Sequence, residues 1–333
     1  MTVGLRLLFW LGLSFVLGLF GALWVALYGY RLGLLDTPNA RSSHRTPVPK
    51  GGGLGILIAF VVTALWWGLP SSLWIPALFL ALASFWGDFQ DVSFQIRLAV
   101  QFGCAAVFSS FRFFGNPMSD ISEPLKWGAV LFGALIITAT ANCFNFMDGI
   151  NGLAGLTGAI AFSCLGLFGM IEGKESIWSI SAFGISAACL GFLPLNMPRA
   201  RVFMGDVGSI LLGFLFASWS LWLARSLHEF VALFLFLFPF YLDELDTMIV
   251  RIREKERLNK AHRRHIYQIL ANQAGISHVF VTAFYGSAQV AVILLGWLTV
   301  KKSLLMQISL FIFLTGFSLL ACRYIRRRWE ATV

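Results

Sequence analysis

The chain has 333 residues, of which 58% are hydrophobic and only 12% are charged, and its mean hydropathy is +0.78. This balance lies outside the usual range of soluble globular domains and predicts an all-α, polytopic integral membrane protein. The formal net charge of +9 does not indicate nucleic-acid binding, because no loop is long enough for an extramembrane domain and basic loops are ordinary beside a membrane.

Apolar runs long enough to cross a bilayer recur along the whole chain. A transmembrane helix needs about 20 mostly apolar residues. On that criterion the sequence predicts about eleven spans, at 7–29, 52–69, 72–87, 98–115, 127–144, 153–171, 178–196, 208–224, 230–249, 277–299 and 304–321. The first run could be a signal peptide, but it is long, only Arg6 precedes it and no clear small-residue cleavage site follows, which favours a retained helix.

Positive charge is divided unevenly between the two sides of this arrangement. Of the 25 Lys and Arg residues, 18 fall on the side that also holds the carboxyl terminus. The positive-inside rule therefore places the amino terminus outside and the carboxyl terminus inside. We expect one integral domain over 1–333, with an active site formed by the cytoplasmic loops at 30–51, 88–97, 142–155, 196–209 and 243–276.

The first cytoplasmic loop is rich in turn residues and runs from Asp36 to a glycine run at 51–53. Its prolines fix an extended path, and its glycines predict a flexible approach to the second span. Lys50 and His44 add basic and imidazole groups. By itself this loop is weak support for a function, since basic loops of this kind are common beside membranes.

Acidic residues spaced three apart occur at the ends of two predicted spans. These pairs are Asp88 with Asp91, and Asp243 with Asp246. On a helix each pair shares a face, and like charges held that close repel each other unless a cation lies between them. A hard divalent ion such as Mg²⁺ would relieve the repulsion. The alternative is that these are solvated helix-end carboxylates paired with Arg97 or Arg251.

The stretch from Asn142 to Gly155 ends an apolar span with a dense set of polar side chains. It holds the carboxylate of Asp148 and the carboxamides of Asn145 and Asn151. Polar groups at a membrane boundary are expensive, so this stretch predicts a reaction site.

The segment 196–209 leads directly into another apolar helix. Gly205 and Gly208 would let the backbone approach a ligand closely, and Asp206 stands at a helix start, where free amides favour anions. Asp206 could instead be a simple N-cap. A cap does not explain the glycines or Asn196, which favours a functional interpretation.

A basic segment with two histidines, His262-Arg263-Arg264-His265, lies between the last acidic pair and the next span. Much of the surrounding positive charge is a topology determinant. Guanidinium and imidazole donors beside a carboxylate-rich pocket also suit a substrate that carries phosphates.

Taken together, these segments resemble the polyprenyl-phosphate N-acetylhexosamine-1-phosphate transferase family. The shared motifs are D-x-P-x-x-R-x-x-H-x-x-P-x-P-x-G-G at 36–52, the acidic helix end at 88, N-x-x-N-F-M-D-G-I-N-G at 142–152, F-M-G-D-x-G-S at 203–209, D-x-x-x-T at 243–247 and A-H-R-x-H-x-Y-Q at 261–268. The match covers nearly the whole chain in order, and the 142–155 and 203–209 segments are the most specific.

The resemblance implies transfer of a sugar-1-phosphate from a UDP-N-acetylhexosamine to undecaprenyl phosphate, which gives a sugar-diphosphate lipid and UMP. Positioning and charge neutralisation dominate such phosphoryl transfers, and the implied cofactor is Mg²⁺, with Mn²⁺ as an alternative. The implied setting is the bacterial cytoplasmic membrane, with the site facing the cytoplasm. Membrane lipids are further partners, no nucleic acid is expected, and a homodimer is compatible with the sequence.

Carried over by motif position, the resemblance makes Asp206 the principal metal ligand, with Asp148 close to the same centre. Phe203 and Asn196 match uridine-contacting positions, and the basic segment matches the pyrophosphate donors. The predicted catalytic residues are Asp88, Asp91, Asp148, His262 and His265. The predicted substrate-binding residues are Lys50, Asn145, Asn151, Asn196, Phe203 and Arg263.

Two positions depart from the family pattern. Gly87 replaces the first of two adjacent aspartates, the one proposed to deprotonate the acceptor. Either Asp91 takes its place, or no base is needed because a phosphate monoester with a second pKa near ~6 is already largely a dianion at neutral pH. We favour the second account. Asn151 stands where many relatives carry aspartate, so the predicted metal site is less acidic.

The spacing of His262 and His265 differs from the three adjacent histidines of the muramoyl-pentapeptide branch. It is more similar to the branch that initiates O-antigen, capsule or related glycans from UDP-GlcNAc, UDP-N-acetylfucosamine or UDP-N-acetylquinovosamine. Two alternatives stay open. One is an impaired family member that only binds the lipid carrier, and the other is a transporter, although its polar residues would be expected near the bilayer midplane.

Overall fold

The chain folds into helices joined by short loops in the computed structural model, which describes residues 3–38, 43, 46–90, 92–115, 122–174, 176–257 and 262–330. The helices are α1 (Val3–Tyr28), α2 (Leu54–Trp67), α3 (Ser71–Phe89), α4 (Phe94–Phe114), α5 (Glu123–Phe146), α6 (Leu153–Ile171), α7 (Ser176–Asn196), α8 (Asp206–Leu223), α9 (Leu227–Phe234), α10 (Phe238–Arg253), α11 (Ile266–Gln268), α12 (His278–Thr299) and α13 (Leu304–Trp329). A 3₁₀ turn, Leu235–Leu237, joins α9 to α10, and a π-helical turn, Ile269–Gln273, follows α11.

Within the described ranges, 9 helices are long and apolar enough to cross a membrane. They are α1, α3 to α8, α12 and α13, and each coincides with a predicted span. The expected all-α, polytopic membrane fold is therefore confirmed. The remaining two predicted spans have a different form.

The second predicted span, 52–69, is the short helix α2 of 14 residues. Gly68 ends it in the left-handed conformation with φ 69°, and Pro70 follows. At 1.5 Å per residue such a helix is roughly 21 Å long, which is less than the ~30 Å hydrocarbon core of a bilayer.

The predicted span at 230–249 is interrupted. Pro239 has no N–H to donate to the preceding turn, and the chain changes from α9 through the 3₁₀ turn to α10 just before it. The break divides the segment into an 8-residue and a 16-residue helix. The predicted acidic pair, Asp243 and Asp246, lies in α10.

Helix α8 forms the centre of the core. It is apolar on all sides, and 16 of its 18 residues are buried. Trp219 packs edge-on against Phe60, Phe162 and Trp178, which come from three other helices. Since α8 is held on all sides, its first residue, Asp206, is fixed relative to the ends of α3 and α5. We call this end of the molecule the site end.

A two-stranded antiparallel pair, β1 (Leu35–Asp36) with β2 (Val48–Pro49), organises the first loop. The strand pair leads into a parallel bridge between Lys50 and Phe203, and the amides of Gly51 and Gly52 both donate to the Phe203 carbonyl, at 3.1 and 2.8 Å. The first loop is thereby fastened to the segment that precedes α8.

The glycines at this junction allow two backbones to touch. A Cβ on Gly53 would lie 2.4 Å from Cα of Gly208, and a Cβ on Gly205 would lie 2.8 Å from the amide nitrogen of Gly51. The expected flexible approach to α2 is thus a closely packed junction. The close approach expected between the 205–208 backbone and a ligand is here made to the first loop.

Candidate active site

Three predicted acidic residues lie at the site end on three different elements. Asp88 is in the last turn of α3, Asp148 is in the turn between α5 and α6, and Asp206 begins α8. Burial raises the pKa of Asp148 well above its ordinary value, and the negative charges of Asp206 and Asp88 raise it further. Asp36 of β1 adds a smaller effect of the same sign. Residues distant in the chain therefore form one acidic centre.

Two basic residues neutralise part of this centre. Lys50 Nζ lies 3.3 Å from Asp88 Oδ1, and the Arg97 guanidinium forms an ion pair with Asp206. The second oxygen of Asp88 is buried and has no hydrogen-bond partner. It points towards Gly205, where a Cβ would approach it to 3.0 Å. An unpaired buried carboxylate oxygen is costly, so this atom is a candidate for a ligand contact.

The acidic centre fits a divalent cation only in part. Among the described residues, no three His, Cys, Asp or Glu side chains come together as a complete metal site. Mg²⁺, however, is commonly held by one or two carboxylates while substrate phosphates and water supply the other ligands. The orphaned Asp88 oxygen and the mutual repulsion at Asp148 fit such an arrangement. Asp148 and Asp206 are the residues that would hold the ion.

The three predicted carboxamides bind neighbouring parts of the protein. Asn145 accepts a hydrogen bond from Ser209 Oγ at 2.7 Å. Asn196 accepts one from the Gly152 amide at 2.6 Å and donates one to a backbone carbonyl at 2.9 Å. Asn151 donates to the carbonyl of Pro198 at 3.1 Å. These side chains join the Asp148 turn to α7 and α8, and a uridine contact for Asn196 stays a prediction.

The remaining predicted positions near this centre differ in how far the structure describes them. Phe203 is half-buried beside Lys50 in the bridge described above. At Gly87, an added Cβ would meet no atom within 4 Å, so the space of the missing aspartate is open. Asp91 and His44 lie outside the described residues.

The second acidic pair, Asp243 and Asp246 on α10, is buried and bound by other groups of the protein. Asp243 is only 2% exposed and accepts hydrogen bonds from the amides of Ile266 and Tyr267, at 2.8 and 3.1 Å, and from the Tyr285 hydroxyl at 2.5 Å. Asp246 pairs with Arg326 of α13. Neither carboxylate is a solvated helix end, so that interpretation is wrong for this pair, whereas a divalent cation between the two stays a prediction.

The two histidines of the basic segment differ in environment. His265 is buried, with its ring nitrogens 3.4 Å from Asp243 and 3.6 Å from Glu244. His262 is half-buried, and its Nδ1 accepts a hydrogen bond from the Arg264 amide at 3.4 Å. Burial lowers the pKa of His262 to about 4, so its ring is neutral at neutral pH. Because Nδ1 is the acceptor, Nε2 carries the proton.

The basic segment and the Asp148 turn are in direct contact. The Tyr267 hydroxyl donates to the carbonyl of Phe146 at 2.9 Å. It also lies so close to Gly149 that a Cβ there would be 2.1 Å from it. His262 and Arg263, the predicted donors to a pyrophosphate, thus belong to a segment that is held beside the acidic centre.

Sequence reasoning missed several residues that shape this site. The sequence suggests Arg97 only as a partner of the 88–91 pair, and it gives no signal for a buried role of Arg326. Tyr267 and Tyr285 gave no signal beyond the motif letter at 267. The one available clue was the position of Arg97 at the start of the helix after an acidic turn.

Comparison with known proteins places this geometry in context. The profile described as Glycosyl transferase family 4 matches residues 71–224. A Salmonella typhi protein named undecaprenyl-phosphate alpha-N-acetylglucosaminyl 1-phosphate transferase is 30% identical over 268 residues, which cover 72% of this chain and 70% of the relative. The chain belongs to glycosyl transferase family 4. The matched range contains α3 to α8 and therefore Asp88, Asp148 and Asp206.

Two further relatives extend the comparison for this family 4 protein. A Bacillus subtilis protein named probable undecaprenyl-phosphate N-acetylglucosaminyl 1-phosphate transferase is 28% identical over 305 residues, or 85% of this chain and 83% of the relative. A Nostoc protein named phospho-N-acetylmuramoyl-pentapeptide-transferase is 37% identical over 168 residues, or 48% of this chain and 44% of the relative. The similarity to the Salmonella and Bacillus relatives covers more of this chain than the similarity to the Nostoc relative does.

Proposed function

We propose that this protein transfers a HexNAc-1-phosphate from a UDP-sugar to undecaprenyl phosphate, the first step of a cell-surface glycan, at the cytoplasmic face of the bacterial inner membrane. The observation that carries this proposal is the junction of the acidic centre with the basic segment through Tyr267. Carboxylates beside guanidinium and imidazole donors suit a substrate with a pyrophosphate. The names of the Salmonella and Bacillus relatives support the same acceptor.

In the proposed step, an oxygen of the lipid phosphate attacks the sugar-bearing β-phosphorus of the donor. A new P–O bond forms there, the bond from that phosphorus to the bridging oxygen breaks, and UMP leaves with the bridging oxygen. The products are the sugar-diphosphate lipid and UMP. The phosphate monoester is already largely a dianion at neutral pH, so the open position at Gly87 needs no replacement base.

The protein's own groups would bind and orient the reactants. Lys50 and Arg97 can redirect their charge from Asp88 and Asp206 to phosphate oxygens as these arrive. His262 can donate from its neutral Nε2, and Arg263 can add a guanidinium to the donor pyrophosphate. A bound Mg²⁺ would neutralise charge on the phosphates as it accumulates.

An apolar groove beside the acidic centre supports a lipid acceptor. It lies between α5 and the α9–α10 pair, encloses about 310 Å³ and is lined by apolar side chains that include Phe146, Phe234 and Leu245. The polar side chains on its wall are Thr140, Asn142, Tyr241 and Glu244. Phe146 directly precedes the turn that holds Asp148, so a chain lying in the groove would bring its phosphate near the carboxylates.

The test is UMP release by the purified protein with undecaprenyl phosphate, Mg²⁺ and a panel of UDP-GlcNAc, UDP-N-acetylfucosamine and UDP-N-acetylquinovosamine. We expect release with at least one sugar and loss of release after chelation. The Asp206→Ala variant is the matched negative control. If no sugar releases UMP under conditions in which the Bacillus relative is active, the proposal is wrong.

Gly87 supports a second function for the same fold, namely binding of the lipid carrier without turnover. The two ion pairs and the missing aspartate both reduce the negative charge available to a metal. In the same assay, such a protein would bind undecaprenyl phosphate in a pull-down or fluorescence titration and release no UMP.

A further inference from the structure

The last helix, α13, touches the rest of the protein at few points. Of its 26 residues, only Gln307, Leu314, Cys322 and Arg326 are buried. Most of the helix therefore faces outwards, as expected of a helix that packs against lipid. Arg326 is the exception. It lies on the part of α13 near the site end, and although it is charged it is only 8% exposed. Buried arginines are rare and are retained where they have specific partners.

The Arg326 guanidinium connects α13 with α10 and with the basic segment. It donates to Asp246 Oδ2 at 2.8 Å from Nε and pairs with the same oxygen through Nη2 at 2.7 Å. It also donates to Thr247 Oγ1 at 3.1 Å and to the backbone carbonyl of Arg264 at 2.8 Å. Arg326 thus holds the backbone of the basic segment at Arg264, while Asp243 holds the backbone that follows it at Ile266 and Tyr267.

The Arg264 side chain is fixed by carboxylates in the same region. It donates to Glu330 Oε1 at 2.8 Å and to Glu256 Oε1 at 2.7 Å, and it pairs with Glu254. Glu330 is one turn beyond Arg326 and accepts from it at 3.2 Å. The charge of the Arg264 guanidinium is therefore neutralised by carboxylates of the protein, so this side chain is not placed to bind a substrate phosphate.

The held backbone directly determines where His262 points. The amide of Arg264, whose carbonyl binds Arg326, donates to His262 Nδ1. Three residues further on, Tyr267 reaches the carbonyl of Phe146 beside the acidic centre. Arg326 thus lies on one side of the basic segment and the acidic centre on the other.

We propose that Arg326 is a positioning residue that holds the basic segment where His262 and Arg263 meet the pyrophosphate of the nucleoside-diphosphate sugar. This inference rests on the proposed function, since it assigns a distal residue to donor binding at that site. Without Arg326, the carboxylate of Asp246 loses its buried cation, and the carbonyl of Arg264 keeps only the longer hydrogen bond from Thr247 Oγ1, at 3.4 Å. The basic segment is then less firmly held, so His262 and Arg263 are no longer positioned for the donor. The apolar groove between α5 and α10, which would bind the lipid acceptor, keeps its lining.

The test compares the KM values for the two substrates in Arg326→Met. We expect the KM for the UDP-sugar to rise about tenfold and the KM for undecaprenyl phosphate to stay within about twofold of wild type. Arg326→Lys should give an intermediate donor KM, because an ammonium keeps the charge but cannot reproduce the forked contacts. Arg327→Met is the matched control on an exposed neighbour and should leave both KM values unchanged.

A double variant separates positioning from stability. In Arg326→Met with Asp246→Leu, no buried charge is left unpaired, so the melting temperature should return towards wild type. The donor KM should stay raised, because the short hydrogen bond from Arg326 to the Arg264 carbonyl is still absent. If the double variant restores the donor KM, or if both KM values rise equally in Arg326→Met, Arg326 is a structural residue only and the inference is overturned.

Glu330→Gln is a milder variant should Arg326→Met fail to accumulate in the membrane. It weakens the Arg264 and Arg326 contacts while keeping the side-chain shape, and we expect a roughly threefold rise in donor KM. An unchanged donor KM in this variant would also contradict the inference. Failure of the proposed function is a separate outcome, because the wild-type protein would then release no UMP.

Discussion

Lys50 and Asp88 form an ion pair in which the ammonium nitrogen lies 3.3 Å from one carboxylate oxygen. The family pattern has two adjacent aspartates here, but this chain has Gly87 followed by Asp88. The end of α3 therefore carries one carboxylate at these two positions, with the Lys50 ammonium beside it. The cation supplies part of the neutralisation that a metal ion would otherwise supply. The Mg²⁺ dependence of activity should therefore change when the charge at position 50 or at position 87 is changed.

Replacing Lys50 by methionine should make the acidic centre more negative. We expect the Mg²⁺ concentration for half-maximal UMP release to fall several-fold, and maximal turnover to fall about tenfold because a phosphate-binding cation is lost. A Mg²⁺ titration of purified Lys50→Met measures both. Lys302→Met, at an exposed position at the opposite end of the molecule, is the control. An unchanged Mg²⁺ dependence would show that Lys50 does not act on the metal site.

Restoring an acidic side chain at Gly87 should strengthen metal binding. The position is sterically open, so Gly87→Asp should fold, and its added charge should lower the half-saturating Mg²⁺ concentration several-fold. Gly87→Ala is the matched control. It should be neutral or stabilising by about 0.5–1 kcal/mol, since glycine weakens a helix interior, and it should leave the Mg²⁺ dependence unchanged. Equal Mg²⁺ titrations for the Asp and Ala variants would contradict the prediction.

The helical class and most spans could be predicted from the sequence because an apolar run of sufficient length has few other solutions near a membrane. The break before Pro239 was not predicted, since hydropathy alone does not register a missing N–H donor. The motif segments were expected to meet at one end, and Asp88, Asp148 and Asp206 do so. Their individual roles stay predictions.

The pairing of charges could not be predicted. Asp246 with Arg326, and Asp206 with Arg97, join residues far apart in the chain, and only the rotation of packed helices decides which side chains meet. The glycines at 205 and 208 illustrate a related ambiguity. A glycine permits close approach by a ligand or by another backbone, and sequence alone does not distinguish the two.

Removing the carboxylate of Asp206 should abolish most of the activity without unfolding the protein. We expect UMP release to fall at least about 100-fold in Asp206→Ala, since charge neutralisation around the phosphates is lost. Asp206→Asn keeps the size and a hydrogen-bond acceptor for Arg97, and it should lose nearly as much activity if charge is what matters. Detergent-stable, monodisperse protein of wild-type yield is the folding control. Activity near wild type in both variants would remove Asp206 from the metal site.

Asp148→Asn should separate activity from stability. Burial and neighbouring carboxylates raise the pKa of Asp148, so the ionised form costs folding free energy at neutral pH. We therefore expect the variant to melt at a higher temperature than wild type in metal-free buffer at pH 7.5, while UMP release falls about 100-fold. Because the penalty develops as pH rises above the ordinary value of 3.8, the difference in melting temperature should shrink as pH is lowered. A variant that is less stable at pH 7.5 would contradict this account.

His262 should act as a neutral donor and not as a titrating acid. Its pKa is lowered to about 4 from an ordinary value of 6.5, so the folded protein leaves it unprotonated where the unfolded chain binds a proton. Stability therefore falls as pH drops from 6.5 towards 4. His262→Gln keeps an N–H donor and cannot titrate, so its melting temperature should fall less than that of wild type between pH 7.5 and pH 5. For the same reason, the profiles of kcat/KM for the two proteins should run parallel between pH 6 and pH 8. An inflection near pH 6.5 in wild type that His262→Gln removes would instead make His262 a titrating catalytic group.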